Sequence, residues 1–181
     1  SVVSHGHKEI LEDMKCLPEL AKFCTVVLKS NKDEKGIEDY CLKYNIHLID
    51  DKYGKGFGAN NNIVFQYCFD NLDMADNDYF ITFNPDCDVS IGSIKTLVES
   101  MRLNEHKLAT INLYNSKLMD EYDNSLRRYP SLLGFILSFL GLSSSTIVSK
   151  ENIHNITSID WAHGSFLAFL SSHYHNLSGF D

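Results

Sequence analysis

No apolar run in these 181 residues reaches the roughly 18 that a membrane-spanning helix needs. No charged leader with an apolar core opens the chain, so neither a transmembrane helix nor a signal peptide is expected. Cationic residues are scarce: 16 Lys and Arg stand against 24 Asp and Glu, a net charge of −8. That balance argues against a general nucleic-acid binder, which needs a basic face. Cys16, Cys24, Cys41, Cys68 and Cys87 are odd in number and form no C-x-x-C, so free thiols in a reducing cytoplasm are expected. His5 with His7, and His173 with His175, lack further ligands nearby, which leaves a structural zinc site without support. Two phosphate-binding loops are missing as well. No G-x-G-x-x-G follows the first strand and no G-x-x-x-x-G-K-[S/T] occurs, which argues against a nicotinamide dehydrogenase and excludes a P-loop hydrolase.

What is present is an ordinary globular composition, 44% hydrophobic and 22% charged, in a chain of single-domain length. Its most informative stretch is Tyr79-Phe80-Ile81-Thr82-Phe83-Asn84-Pro85-Asp86-Cys87-Asp88. Residues 79–83 are β-branched or aromatic, as a central strand requires, and Pro85 cannot continue a hydrogen-bond ladder. Asp86 and Asp88 therefore fall at a strand's carboxyl end, the ligand-binding edge of open α/β sheets. Two hard oxygen donors there suit Mg²⁺ or Mn²⁺ bridging a diphosphate. A solvated acidic turn carries the same D-x-D pattern, and the pattern alone leaves both readings open.

Periodicity predicts a strand at 1–4 with a trimmed beginning, a helix over 8–22, a strand at 24–28, a helix opening at Asp33 and Glu34, and a strand at 46–49. A Gly- and Asn-rich loop (54–62), a helix through Cys68, the strand at 79–83, a helix over 91–103 and a strand at 108–113 follow. This alternation predicts an α/β fold with a mainly parallel sheet and helices on both faces. Residues 114–156 read as irregular apart from an apolar helix within 132–142, suited to core or subunit packing ahead of membrane contact. Residues 158–161 read as a late strand. Gly58-Ala59-Asn60-Asn61-Asn62 offers N–H groups and carboxamides to a polar ligand, or else is a helix cap with a flexible turn.

Six motifs occur in order: Ser1-Val2-Val3-Ser4-His5-Gly6-His7; Gly56-x-Gly58-Ala59-Asn60-Asn61-Asn62; Phe83-Asn84-Pro85-Asp86; Arg127-Arg128-Tyr129-Pro130; Asp160-Trp161-x-x-Gly164-Ser165-Phe166; and Gly179-Phe180-Asp181. Together they resemble the bacterial family-2 glycosyltransferases of the GT-A fold, most of all the rhamnosyltransferases of O-antigen and cell-wall polysaccharide assembly. The resemblance covers essentially the whole chain. It implies one GT-A domain over 1–181, with residues 1–113 binding the nucleotide-sugar and 114–181 forming part of the acceptor side. It also implies an inverting transfer from dTDP-L-rhamnose to a polyprenyl-diphosphate-linked saccharide, in the cytoplasm or at the cytoplasmic face of the inner membrane.

Carried onto this sequence, the resemblance puts the nucleobase and ribose near Ser4, His5, Lys29, Ser30 and Asn31. Many relatives end that second strand in an aspartate; Lys29 and Asn31 are the candidates here. Gly58, Asn61, Asn62 and Asn84 would lie along the diphosphate and sugar, and Asp86, with Asp88, would hold Mg²⁺ or Mn²⁺. Asn84 replaces a first aspartate, which lowers the site's charge. Trp161, His163, Gly164 and Ser165 would shape the acceptor side, where Arg127 and Arg128 would neutralise the lipid diphosphate. A core role for the Trp161 ring and a solvated role for the arginines stay open. The relatives keep their base in an acidic segment after Gly-Phe-Asp, so slow or absent turnover is expected of residues 1–181, with Asp181 a frayed end. Two rivals are a sugar-nucleotide pyrophosphorylase, which would carry a basic glycine-rich loop after the first strand, and a binding module without catalysis.

Overall fold

The computed structural model describes residues 1–116, 118–129, 131–141 and 146–181. Pro130 of the fourth motif and Leu142 of the apolar stretch lie outside the described residues. The chain divides into two compact units, Ser1–Ala109 with Gly164–Asp181, and Thr110–His163.

The first unit is built on a six-stranded sheet. Its elements are β1 (Val2–Ser4), α1 (Lys8–Met14), α2 (Cys16–Ala21), β2 (Val27–Ser30), α3 (Ile37–Tyr44), β3 (His47–Ile49), α4 (Phe57–Asn71), β4 (Tyr79–Phe83), α5 (Ile91–Leu103) and β5 (Leu108–Ala109). The order in the sheet is β3-β2-β1-β4-β8-β5, where β8 is Phe166–Leu170 and leads into α7 (Ser171–Asn176). Strands β1 to β4 are parallel neighbours; β8 runs antiparallel between β4 and β5, pairing Phe83 with Phe166 and Tyr79 with Leu170. The alternation in the sequence thus yields a mainly parallel sheet, with one reversed strand inserted.

Right-handed crossovers put α1, α2 and α3 on one face; the return from β3 to β4 runs the other way and puts α4 on the opposite face. There Val64, Phe65 and Cys68 of α4 pack with Val27, Phe80, Phe169 and Tyr174 in one buried cluster. Burial raises the thiol pKa values of Cys16, Cys68 and Cys41, the last to about 12, so these are inert packing groups.

Several boundaries differ from the periodicity. The helix expected over 8–22 breaks at Lys15, which is left-handed at φ 56. Pro18 explains the break: in a continuous helix its ring would meet the carbonyl of Met14, whereas in the first turn of α2 it is tolerated. The Gly/Asn-rich segment is helical from Phe57 onward, so Asn60, Asn61 and Asn62 project from the first turns of α4. Strand β5 has two residues, where six were expected.

In the second unit β6 (Leu126–Arg127) pairs antiparallel with β7 (Trp161–Ala162), and α6 is Leu132–Phe139. Leu132, Ile136, Phe139 and Leu140 recur at helical spacing and are exposed, so this side of the expected core helix faces out. The ammonium of Lys150, 3% exposed, is bonded to Asp123 and to Ser125 Oγ, tying a short 3₁₀ turn (Lys150–Asn152) to the segment before β6.

Candidate functional site

The strand order reverses between β1 and β4, the point at which open α/β sheets bind ligands at their carboxyl edge. A cavity of about 250 Å³ lies there. It is walled by Val3, His5 and His7 from β1 and its loop, by Phe57 and Asn61 from α4, and by Phe83, Asn84, Pro85 and Asp86 from β4 and its turn. A larger cavity of about 640 Å³ opens at the amino-terminal edge, lined by residues such as Val26, Tyr79 and Ile94. None of the sequence-predicted site residues reaches it. Size favours the second cavity, but the convergence of polar side chains favours the first.

In the acidic turn the Cys87 N–H donates to the Asn84 carbonyl at 3.0 Å. Asp86 and Asp88 are both exposed, and only Asp86 lines the cavity. Among the described residues neither carboxylate makes a hydrogen bond or ion pair, and no three His, Cys, Asp or Glu converge as a metal site. A cation at Asp86 would therefore complete its shell with water and ligand oxygens, the habit of Mg²⁺. The donor set fits a metal that arrives with its substrate.

The same turn is joined to the Gly164-Ser165 segment. The Asn84 N–H donates to the Ser165 carbonyl at 3.0 Å and Cys87 Sγ approaches that oxygen at 3.4 Å. A Cβ on Gly164 would stand 3.0 Å from the Phe57 ring, so glycine permits this close approach to a wall of the cavity.

Of the residues expected around a nucleotide, Ser4 is fully buried: its Oγ donates to Glu34 at 3.0 Å and accepts the His7 N–H at 3.0 Å. It shapes the loop. The His5 N–H donates to His7 Nδ1 at 3.0 Å, which orients the His7 ring. His7 is absent from the sequence-predicted set, although the S-H-G-H run at a strand end was the available signal. Lys29 is fully buried with its ammonium on the Ser30 and Asp51 carbonyls; burial lowers its pKa against the opposing pull of Asp51 and Asp50.

Asn31 clasps Lys55 in both directions, Nδ2 to its carbonyl at 2.8 Å and Oδ1 from its N–H at 3.0 Å, and also meets the His5 ring at 3.0 Å. Asn31→Ala is expected to cost about 1–3 kcal/mol in urea denaturation, the loss of paired buried groups. Unchanged stability would mean the clasp carries no weight.

Along α4, Asn61 is 1% exposed, donating to the Phe57 carbonyl at 3.0 Å and accepting from Ser1 Oγ at 2.8 Å. Asn62 is bonded to Phe180 and Tyr174. Gly58 sits where a Cβ would meet Phe180 Cβ at 2.7 Å. The Gly179-Phe180 main chain is thus held in place.

The second unit brings Arg127 and Trp161 together as paired residues of β6 and β7, the guanidinium 5.3 Å from the ring centroid. Trp161 is 39% exposed, which rules out a core role for its ring. Arg128 is exposed, and the His163 N–H donates to the Ser125 carbonyl at 2.8 Å. Asp160 accepts the Tyr129 N–H at 2.8 Å.

No protein-family model matches the chain. Among curated proteins, the rhamnosyltransferase WbbL of Escherichia coli (strain K12) is 31% identical over 186 residues, spanning 99% of this chain and 69% of its own length. The low-salt glycan biosynthesis hexosyltransferase Agl10 of Haloferax volcanii is 23% identical over 162 residues, spanning 89% of this chain and 49% of its own. Among solved structures, the mannosyltransferase PcManGT from Pyrobaculum calidifontis, in complex with GDP-Man and Mn²⁺, superposes with a TM-score of 0.54 at 13% identity, covering 99% of this chain and 46% of that one. A 4-diphosphocytidyl-2C-methyl-D-erythritol synthase gives 0.56 at 12% identity, covering 98% and 77%. The fold is that of GT-A nucleotide-sugar enzymes, and the chain belongs to the family-2 glycosyltransferases.

Proposed function

We propose that the crevice between β1 and β4 receives the diphosphate and sugar of a nucleotide-diphospho-sugar, with Asp86 as the protein's ligand to Mg²⁺ or Mn²⁺. The transfer is of L-rhamnose from dTDP-L-rhamnose to a polyprenyl-diphosphate-linked saccharide in polysaccharide assembly. The observation that carries the reading is the free Asp86 carboxylate in a cavity at the switch point, in a chain 31% identical to a rhamnosyltransferase. The Mn²⁺ and GDP-Man bound by PcManGT support a divalent cation and a nucleotide-sugar.

In this reading the acceptor oxygen bonds to the anomeric carbon opposite the breaking bond to the diphosphate, and the hydroxyl proton passes to a base. A divalent cation, when bound, neutralises charge on the departing diphosphate. The chain's own residues hold the geometry: Asn84 and Asn61 line the cavity, the His5-to-His7 loop closes one side, and Asn31 with Lys29 fixes the nucleobase end. Gly164 and Ser165 flank the acidic turn. Arg127, Arg128, Trp161 and His163 serve the acceptor, and the exposed side of Leu132–Phe139, after Arg128, supports peripheral contact with the cytoplasmic face of the inner membrane.

Titration calorimetry of dTDP, UDP and GDP, each with Mn²⁺ and with EDTA, tests this. dTDP is expected to bind more tightly than GDP, and EDTA to weaken it. Equal or tighter GDP binding would point to another donor class. The likeness to the cytidylyl synthase raises nucleotidyl transfer as the second reading; release of pyrophosphate from dTTP and a sugar 1-phosphate would favour it. Against it stands the loop after β1, which carries Ser4-His5-Gly6-His7 and no Lys or Arg.

A further inference from the structure

The carboxamide of Asn62 is turned onto the protein's own main chain. Oδ1 accepts the Phe180 N–H at 2.9 Å and the Tyr174 hydroxyl at 2.6 Å, while Nδ2 donates to the Phe180 carbonyl at 2.8 Å. Both acceptor sites of the amide oxygen are filled, and the pairing with Phe180 copies the two-way exchange of an antiparallel ladder. The fit is tight on every side. Gly179 has φ +79, and a Cβ on it would stand 2.3 Å from Asn62 Oδ1. The Phe180 ring packs edge-on against Phe57, Phe169 and Tyr174 at 5.3, 5.6 and 5.6 Å. Phe57 is itself a wall of the cavity at the switch point.

We infer that Asn62 is a positioning residue: by holding Gly179 and Phe180 on the first turns of α4 it fixes the Phe57 ring, and with it the shape of the cavity. The inference rests on the proposed function only in taking that cavity as the nucleotide-sugar site. Asn62 then touches no substrate. Its effect on binding passes through Phe180, and any lesion that opens the clasp from the other side reproduces it.

The test compares the 181-residue chain with Asn62→Ala, Gly179→Ala, the double variant and Tyr174→Phe. Three readings are taken: hydrogen exchange of the Phe180 amide and the Phe57 ring resonances by NMR, and dTDP affinity with Mn²⁺ by calorimetry. Asn62→Ala and Gly179→Ala are each expected to speed Phe180 exchange about tenfold or more, since each removes the amide's buried partner geometry. Each should also shift the Phe57 signals and weaken dTDP by about threefold or more through the displaced wall. The double variant should match either single one, because both break one clasp.

Loss of dTDP affinity in Asn62→Ala but not in Gly179→Ala, or additive losses in the double variant, would mean direct contact with the nucleotide and overturn the inference. So would Phe180 exchange that Asn62→Ala leaves unchanged. Tyr174→Phe removes one bond while keeping the ring, so it gives the same readings at smaller amplitude if a larger lesion prevents folding. If the parent chain binds no nucleotide, the site assignment fails, while the Phe180 and Phe57 signals still decide the clasp.

Discussion

Asp86→Ala is expected to remove most of the Mn²⁺-dependent gain in dTDP affinity, a loss of roughly 10- to 100-fold, while Asp88→Ala changes it by less than about threefold. The two acids are one residue apart on an exposed turn, and the resemblance already gives the metal to Asp86 ahead of Asp88. The geometry fits that ranking: Asp86 lines the cavity at the carboxyl edge and Asp88 lies outside that lining. From outside the lining and exposed to solvent, Asp88 would act on a cation at Asp86 through screened charge, which supplies little at physiological ionic strength. No three His, Cys, Asp or Glu converge as a metal site among the described residues, and Asp86 is the one carboxylate in the cavity lining. In the proposed reading its removal takes away the protein's anionic ligand to the metal. Calorimetry of dTDP with Mn²⁺ and with EDTA, on the three proteins, reads the difference directly. An Asp86→Ala chain that keeps its EDTA sensitivity would end the assignment, and equal losses in the two variants would make the turn a diffuse acidic patch.

The acidic turn was legible because its cause is local. A β-rich run followed by Asn84-Pro85 has to stop pairing there, whatever surrounds it. The same holds for β1, β3 and β4, whose short apolar runs sit between clear breaks. Strand β8 was not legible in this way. Phe166-Leu167-Ala168-Phe169-Leu170 is apolar on both faces, a pattern that periodicity cannot separate from a buried helix. Its reversed direction between β4 and β5 depends on a partner more than 80 residues earlier. The helix break at Lys15 was legible in principle, since Pro18 forbids a continuous helix over 8–22.

The roles of the polar site residues were the least accessible. Asn31, Asn61, Asn62 and Lys29 are residue types that contact ligands; Asn31, Asn61 and Lys29 are nearly or fully buried, Asn62 is half-buried, and each has polar atoms on other parts of the protein. Carboxamides can pair with a main chain as well as with a sugar. Which of these occurs depends on segments brought in from far away in sequence, such as Phe180 against Asn62. His7, weighed only as half of a zinc pair, was left out of the site set for the converse reason: its place in the cavity depends on how the loop after β1 is pinned by Ser4 and Glu34.

Glycine in this site is about proximity, and Gly58→Ala is expected to destabilise the chain where an equivalent change elsewhere stabilises it. Gly58 and Gly92 are each the second residue of a helix, α4 and α5. On helix propensity alone, alanine at either position gains about 0.5–1 kcal/mol. The surroundings differ. A Cβ on Gly92 meets only Ser90 Oγ, at an ordinary 3.6 Å. On Gly58 it would stand 2.7 Å from Phe180 Cβ and 3.0 Å from the Asp181 carbonyl oxygen. Phe180 cannot retreat cheaply, because Asn62 holds both of its main-chain polar groups and three aromatic rings hold its side chain. Overpacking of this kind costs about 1–3 kcal/mol, which exceeds the propensity gain. Thermal unfolding should show Gly58→Ala lower than the parent by about 2–8 °C and Gly92→Ala equal or slightly higher. If the two alanine variants unfold at the same temperature, the Phe180–Asp181 segment yields freely to the new methyl group, and close approach is not what Gly58 provides.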